Sequence, residues 1–297
     1  MDGKFPKISI VTPCAGMAST IETTIQSILG QGYPNLEYIV LDAGLDDTRK
    51  ILEKYDSQIS FWRSAPDDGQ YESIAEGFEM ATGSIYFWLN ADDILLPGAL
   101  FTVAEIFTSF PEVEWLSTLN PLVLDARGRV AGGYRLPGFS REAFLDGLYL
   151  AGETPYSDYI QQESTFFSAS LWKRGGHALS SNGVGGDFAL WAEFYKSADL
   201  VGLKNPLGAF RLRRGQRSDG PAYGESTKKV LTAIREEMGW SSPMLNRLLH
   251  SKLVETPGVR GLLLRSISYE GTFVREYDVS DPETIWIKER KRFLPCA

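Results

Sequence analysis

Cysteine is scarce in this sequence, with only Cys14 and Cys296 among 297 residues. Two cysteines cannot build a disulfide framework, so a reducing compartment is expected. Histidine is as rare: His177 and His250 suit structural or surface roles, and no His/Cys metal cluster is available. Positive charge is in deficit. Lys and Arg number 30 against 38 Asp and Glu, and the net charge of −8 argues against nucleic acid as a partner. No run reaches the roughly 18–20 apolar residues of a membrane span. No long apolar segment stands behind Met1-Asp2-Gly3-Lys4-Phe5-Pro6-Lys7, so a signal peptide is not expected either. These absences leave a soluble or at most peripheral protein. At 43% hydrophobic and 12% aromatic, the chain can fill one large α/β domain or a domain with a small extension.

What is present centres on residues 83–93. Ile85 to Leu89 is an apolar run that predicts a strand buried on both faces, and it leads directly into Asn90, Asp92 and Asp93. Adjacent carboxylates at the end of a buried strand are costly unless something positive meets them. In α/β sheets that edge is where ligands sit, and oxygen clusters there suit Mg²⁺ or Mn²⁺ carrying a phosphate. The plainer alternative is that one aspartate caps the next helix.

The flanking chain repeats the motif. Residues 8–12, 36–41 and 59–62 predict strands, separated by helices that begin near Ser19 and Asp47, with a further helix from the 66–70 turn through Ala81. Ser19 and Glu22 have the spacing of a capping box. Alternation at about 30 residues implies right-handed crossovers and a mostly parallel sheet. Three strand ends then deliver Asp42, Asp67 with Asp68, and Asp92 with Asp93, more than turn chemistry alone requires. Residues 101–107 predict a helix, and 113–116 and 207–211 predict strands, but 119–159 give no clear pattern. The glycine-rich run Asn182-Gly183-Val184-Gly185-Gly186 delivers Asp187 to a helix start. Beyond 221 helical segments are expected, dividing the chain into a large α/β domain over 1–220 and a mainly helical extension over 221–297.

The order Ile8-Ser9-Ile10-Val11-Thr12-Pro13, Tyr38-Ile39-Val40-Leu41-Asp42-Ala43-Gly44, Pro66-Asp67-Asp68-Gly69-Gln70-Tyr71, Trp88-Leu89-Asn90-Ala91-Asp92-Asp93, Gln162-Glu163-Ser164-Thr165-Phe166-Phe167 and Gly186-Asp187-Phe188 resembles the inverting family-2 glycosyltransferases, which have the GT-A fold. The resemblance covers roughly residues 7–217. It implies an enzyme moving a sugar from a nucleotide-diphospho-sugar to an acceptor hydroxyl, in polysaccharide or glycan assembly. It places Asp42 at the nucleotide base, with Thr12 and Pro13 lining the same pocket and Asp67 close by. Asp93 would bind Mn²⁺ or Mg²⁺, Asp92 would reach the ribose or the metal, and Asp187 would be the catalytic base. Asn90 stands where the motif's first aspartate is usual. Arg213 replaces a frequent histidine, and with Arg211 it can pair with diphosphate oxygens.

Plainer readings exist for each feature. Asp187 could be a helix N-cap, and Arg211, Arg213, Arg214 and Arg217 a solvated face. Cys14 near the pocket suits a buried filler better than a nucleophile. Trp286 with Lys288 to Arg292 admits contact with an anionic membrane, a solvated tail being the simpler account. The expected setting is therefore the cytoplasm, with any membrane contact peripheral at the inner face, and the acceptor a carbohydrate or lipid-linked glycan. Two other functions compete: a nucleotidyltransferase, whose basic glycine-rich loop is missing at Cys14-Ala15-Gly16-Met17-Ala18, and a catalytically silent nucleotide-sugar-binding module.

Overall fold

The structure is a computed structural model that describes residues 5–150, 158–180, 183–216, 220–244, 246–247, 266–277, 280 and 286–295. In chain order its elements are β1 (Ile8–Cys14), α1 (Ile21–Leu29), β2 (Leu36–Asp42), α2 (Thr48–Lys54), β3 (Phe61–Ser64), α3 (Gln70–Met80), β4 (Ile85–Trp88), β5 (Ile94–Leu95), α4 (Ala99–Ser109) and β6 (Trp115–Thr118). Then come β7 (Leu122–Leu124), β8 (Val130–Gly133), α5 (Arg141–Leu145), β9 (Phe166–Ser168), α6 (Ala169–Gly175), α7 (Gly186–Tyr195), β10 (Val201–Leu203), β11 (Gly208–Arg211), α8 (Pro221–Glu237), β12 (Tyr269–Glu276) and β13 (Trp286–Phe293).

The main sheet has the order β13-β12-β10-β6-β9-β4-β1-β2-β3. Strands β4, β1, β2 and β3 are parallel neighbours, as are β6, β10 and β12, so the predicted mostly parallel sheet is present. Side chains alternate across it as strand geometry requires. Ile8, Ile10, Tyr38, Val40, Ile85 and Phe87 join one apolar cluster, shared with α1 and α4. Val11, Ile39, Leu41, Tyr86 and Trp88 join the other, beneath α3, α5, α7 and α8. Both faces are covered, which is why these strands read as continuous apolar runs.

Two antiparallel pairings shape the site. Strand β9 inserts between β4 and β6, with Tyr86 opposite Phe167 and Ile85 opposite Ser168. Running backwards from there, residues 162–165 arrive at the carboxyl end of β4. A second sheet, β5-β11-β7-β8, pairs Leu95 with Gly208 and Ile94 with Ala209. Because β5 directly follows Asp93 and β11 ends at Arg211, this register carries Arg211 alongside the aspartate pair.

Several local expectations need correction. The N-cap of α1 is Thr20 with no side-chain cap bond, and its hydroxyl donates to the Met17 carbonyl instead. Glu22 accepts from the Tyr55 hydroxyl at 3.2 Å and pairs with Lys54 at 3.7 Å, so no capping box forms. Beyond 221, where helical segments were expected, the described elements are α8 and two strands. Residues 269–276 and 286–293 form an antiparallel hairpin that joins the main sheet through β10. The reason lies in period-two burial: Tyr269 and Phe273 are buried on one face while Glu270 is exposed. Arg217, His250 and Cys296 lie outside the described residues, as does Asn182 of the glycine-rich run.

Candidate active site

The carboxyl ends of β1 and β4, the start of α3, the turn before β9 and the starts of α7 and α8 surround a cavity of about 440 Å³. On its first side, register aligns Cys14 with Asp42 and Asp42 with Ser64. Asp42 is fully buried; the Ser64 hydroxyl donates to its Oδ2 at 2.6 Å, while Oδ1 has no partner among the described residues. A buried carboxylate oxygen with no donor is an unmet acceptor. Burial, with the Asp42 charge beside it, pushes the Cys14 thiol up to about 12, so Cys14 fills space rather than acting as a nucleophile. Pro13 lines the cavity. Thr12 does not: it sits one residue deeper in β1, fully buried, with its hydroxyl accepting from Tyr38 at 3.1 Å. Asp67 lines the wall and also organises the start of α3, accepting from the Gly69 N–H at 3.2 Å and the Ser73 hydroxyl at 2.7 Å.

The floor is a chain of amides. Gln70 donates to Asn90 at 2.8 Å, Asn90 donates to Gln162 at 3.2 Å, and Gln162 donates to the Trp88 carbonyl at 2.6 Å. Asn90 thus replaces a charge with a donor that also reaches Asp93 Oδ2, at 3.3 Å.

Around the aspartate pair the two arginines divide the work. Arg211 is buried; its backbone N–H donates to Asp93 Oδ1 at 2.8 Å and its Nε to the Asp92 carbonyl at 2.6 Å. It braces the pair from behind and does not line the cavity, which corrects its expected place at a diphosphate. Arg213 does line the cavity, and its Nε pairs with Asp92 Oδ2. Asp93 and Glu163 are both buried, and the Glu163 charge disfavours a charge on Asp93. Burial raises both, Glu163 to about 7, and each is raised further by the Asp92 charge.

These donors are all hard oxygens, the chemistry of Mg²⁺ or Mn²⁺. Among the described residues no three acidic, His or Cys groups are arranged to hold an ion unaided. That is compatible with an ion held by one or two carboxylates and completed by water and substrate phosphate. Asp92 on the wall, backed by the crowded Asp93–Glu163 pair, fits that pattern.

Asp187 closes the far side. The N-cap of α7 is Gly185, at φ 91°, so Asp187 is the second helical residue and the plain capping role is excluded. Burial raises its carboxyl above the usual range, opposed by the Phe188 N–H and by the phenols of Tyr223 and Tyr71, each at 3.3 Å. Helix α7 is otherwise core, and Trp191 stacks on Trp88 of the cavity floor with ring centres 5.7 Å apart. The structure therefore brings Pro13, Asp67, Asp92, Asp93, Asp187 and Arg213 together on the cavity, while Thr12, Arg211 and Asp42, which is buried beside the lining Cys14, do not line it. Sequence reasoning missed Gln70, Glu163 and Tyr223 as site groups. The first two stand inside quoted motifs, whereas nothing local marked Tyr223.

Residues 9–118 match the glycosyl transferase family 2 model. Over these residues the chain is similar to the family-2 glycosyltransferases. The chain is 28% identical over 202 residues to an uncharacterized glycosyltransferase of Mycobacterium tuberculosis, covering 66% of this chain and 70% of that one. It is 25% identical over 229 residues to the GalNAc(5)-diNAcBac-PP-undecaprenol beta-1,3-glucosyltransferase of Campylobacter jejuni, covering 74% and 69%. Among solved structures, S. aureus TarS 1-349 in complex with UDP-GlcNAc superposes with a TM-score of 0.56 at 15% identity, over 83% of this chain and 71% of TarS 1-349. A mannosyltransferase of Pyrobaculum calidifontis in complex with GDP-Man and Mn²⁺ gives 0.50 at 14% identity, over 87% and 83%. At such identities the likeness is one of fold, and the fold is GT-A-like. Among the described residues no helix is long and apolar enough to cross a membrane.

Proposed function

We propose that this transferase moves a hexosyl group from a nucleoside-diphosphate sugar to an acceptor hydroxyl with inversion at the anomeric carbon. The observation that carries the reading is Asp187, a carboxylate that lines the same cavity as the Asp92–Arg213 pair. A donor with its diphosphate at Arg213 and its sugar over the amide floor presents its anomeric carbon toward Asp187. The acceptor oxygen then bonds to that carbon as the bond to the diphosphate oxygen breaks. Asp187 takes the hydroxyl proton, and the nucleoside diphosphate departs as an anion.

Asp42, beside the cavity-lining Cys14, has an unmet Oδ1 that suits a base N–H, which favours the β1–β2 edge for the nucleotide end, with Pro13 and Asp67 on the cavity wall. Arg213 offers a guanidinium fork to the diphosphate. A divalent ion at Asp92, with Asp93 behind it, would neutralise charge on the leaving diphosphate. The Pyrobaculum neighbour's Mn²⁺ supports that assignment. The Campylobacter relative's name supports an acceptor glycan carried on a polyprenyl diphosphate, and hence work at the cytoplasmic membrane face as a peripheral enzyme in glycan assembly.

Asp187→Asn tests the reading. It preserves size and loses the proton acceptor, so transfer should fall by roughly 10²–10⁴ while nucleoside diphosphate binding with Mn²⁺ is kept. Near-normal turnover would remove Asp187 from the chemistry.

A further inference from the structure

Asp187 is gripped from two other elements. The Tyr71 hydroxyl, at the start of α3, donates to Oδ1 at 3.3 Å, and the Tyr223 hydroxyl, in the first turn of α8, donates to Oδ2 at 3.3 Å. Both rings line the cavity. The approach of the three elements is close. A Cβ on Gly186 would lie 2.1 Å from the Leu179 carbonyl oxygen and 2.9 Å from the Tyr71 ring, so only glycine lets α7 begin there. A Cβ on Gly185 would lie 3.0 Å from the Thr227 methyl of α8.

We propose that Tyr71 and Tyr223 are positioning residues for the transfer reaction, each phenol fixing one oxygen of Asp187 so that the free lone pairs face the acceptor hydroxyl. Helix α8 is then part of the transferase site rather than an appendage to it. The inference rests on Asp187 being the base. The groups facing Asp187 are Tyr71 from α3, Tyr223 from α8, the Phe188 N–H within α7 and Glu163 from the turn before β9. Asp92 and Arg213 line the same cavity. A phenol donor favours the charged carboxylate, so its removal raises the carboxyl further and moves the acid limb of activity to higher pH.

The test compares Tyr71→Phe, Tyr223→Phe and the double variant with wild type. Each ring is kept, so packing is preserved. Binding of UDP or GDP with Mn²⁺, whichever the wild type binds, reports the intact site. Each single change should lower kcat about tenfold, the worth of one hydrogen bond to a charged group. The acid limb of kcat/KM should rise in pH, furthest in the double variant, with nucleotide affinity unchanged. An unmoved acid limb with normal kcat in both single variants would overturn the proposal. So would a loss of nucleotide affinity matching the loss of rate. If one variant fails to fold, the pH profile of the other decides. Should Asp187→Asn prove inactive while both Phe variants behave as wild type, only this inference falls; an active Asp187→Asn would remove the base assignment as well.

Discussion

The two sides of the cavity are built differently. On the side proposed for the nucleotide, Pro13 and Asp42 sit at the ends of the paired strands β1 and β2, and Asp67 follows the end of β3. Their polar partners are near in sequence: Ser64 for Asp42, and Gly69 and Ser73 for Asp67. On the opposite side the groups come from turns and helix starts joined over long distances. Arg211 reaches back 118 positions to Asp93, and Tyr71 and Asp187 are 116 positions apart. A side set by strand ends is fixed by sheet register, whereas a side assembled by distant hydrogen bonds depends on everything that docks those segments. The first is suited to holding a constant ligand part, the second to adjusting where a proton is taken.

This contrast can be broken experimentally, most severely at Asp146. Its carboxylate is fully buried and accepts from Trp240 Nε1 at 3.0 Å, Asn246 Nδ2 at 2.7 Å, Tyr269 Oη at 2.8 Å and the Ser242 hydroxyl. It ties the end of α5 to the segment after α8 and to β12. Asp146→Ala strands several buried donors and should destabilise the fold by about 3 kcal/mol or more. A thermal unfolding scan should show a fall of several degrees, and an unchanged midpoint would mean that these docked segments stand without their polar anchor.

A smaller effect should appear on the nucleotide side. Asp42→Ala removes a hydrogen bond to a charged group and should weaken nucleoside diphosphate binding about ten- to a hundredfold, at a cost of roughly 1.5–3 kcal/mol. Calorimetry on the nucleotide alone reads this directly. Loss of turnover with affinity preserved would move Asp42 out of the base pocket.

The smallest effect is at the other edge of the sheet, where both constructions are absent. Burial would raise the Glu37 carboxyl, but bonds from Lys7, Ser9 and Thr82 outweigh it and bring it to about 2. A carboxyl depressed in the folded state adds stability above its unfolded value near 4.5, and that stability is lost as pH falls toward 2. Glu37→Gln should therefore cost about 1 kcal/mol at pH 7 and nearly nothing near pH 2. Urea titrations at the two pH values test the difference; an equal cost at both would point to packing instead of charge.

The same contrast governs what the sequence disclosed. Strands β1, β2 and β4 announce themselves as apolar runs because both faces are covered, and the aspartates that end them mark the sheet edge. Register then follows from the parallel crossovers. Tyr223 gives no such sign, since its meaning depends on α8 folding back against α7. Arg211 reads as a candidate phosphate ligand until the β5–β11 pairing turns it behind Asp93. Thr12 likewise looks available until Tyr38 is seen to occupy it. The hairpin of β12 and β13 was hidden because its alternation is weak in a strongly charged stretch, where Lys288, Arg290 and Arg292 interrupt any apolar pattern. Local composition reports local structure, and the second side of the site is not local.

The central claim is that a single carboxylate, Asp187, assists direct displacement on a donor held from the other side. The anomeric configuration of the first product formed, read by NMR before any equilibration, tests it most directly. Direct displacement gives a product of opposite configuration to the donor's sugar–phosphate bond. A product with the donor's configuration retained would require a different mechanism and contradict the account.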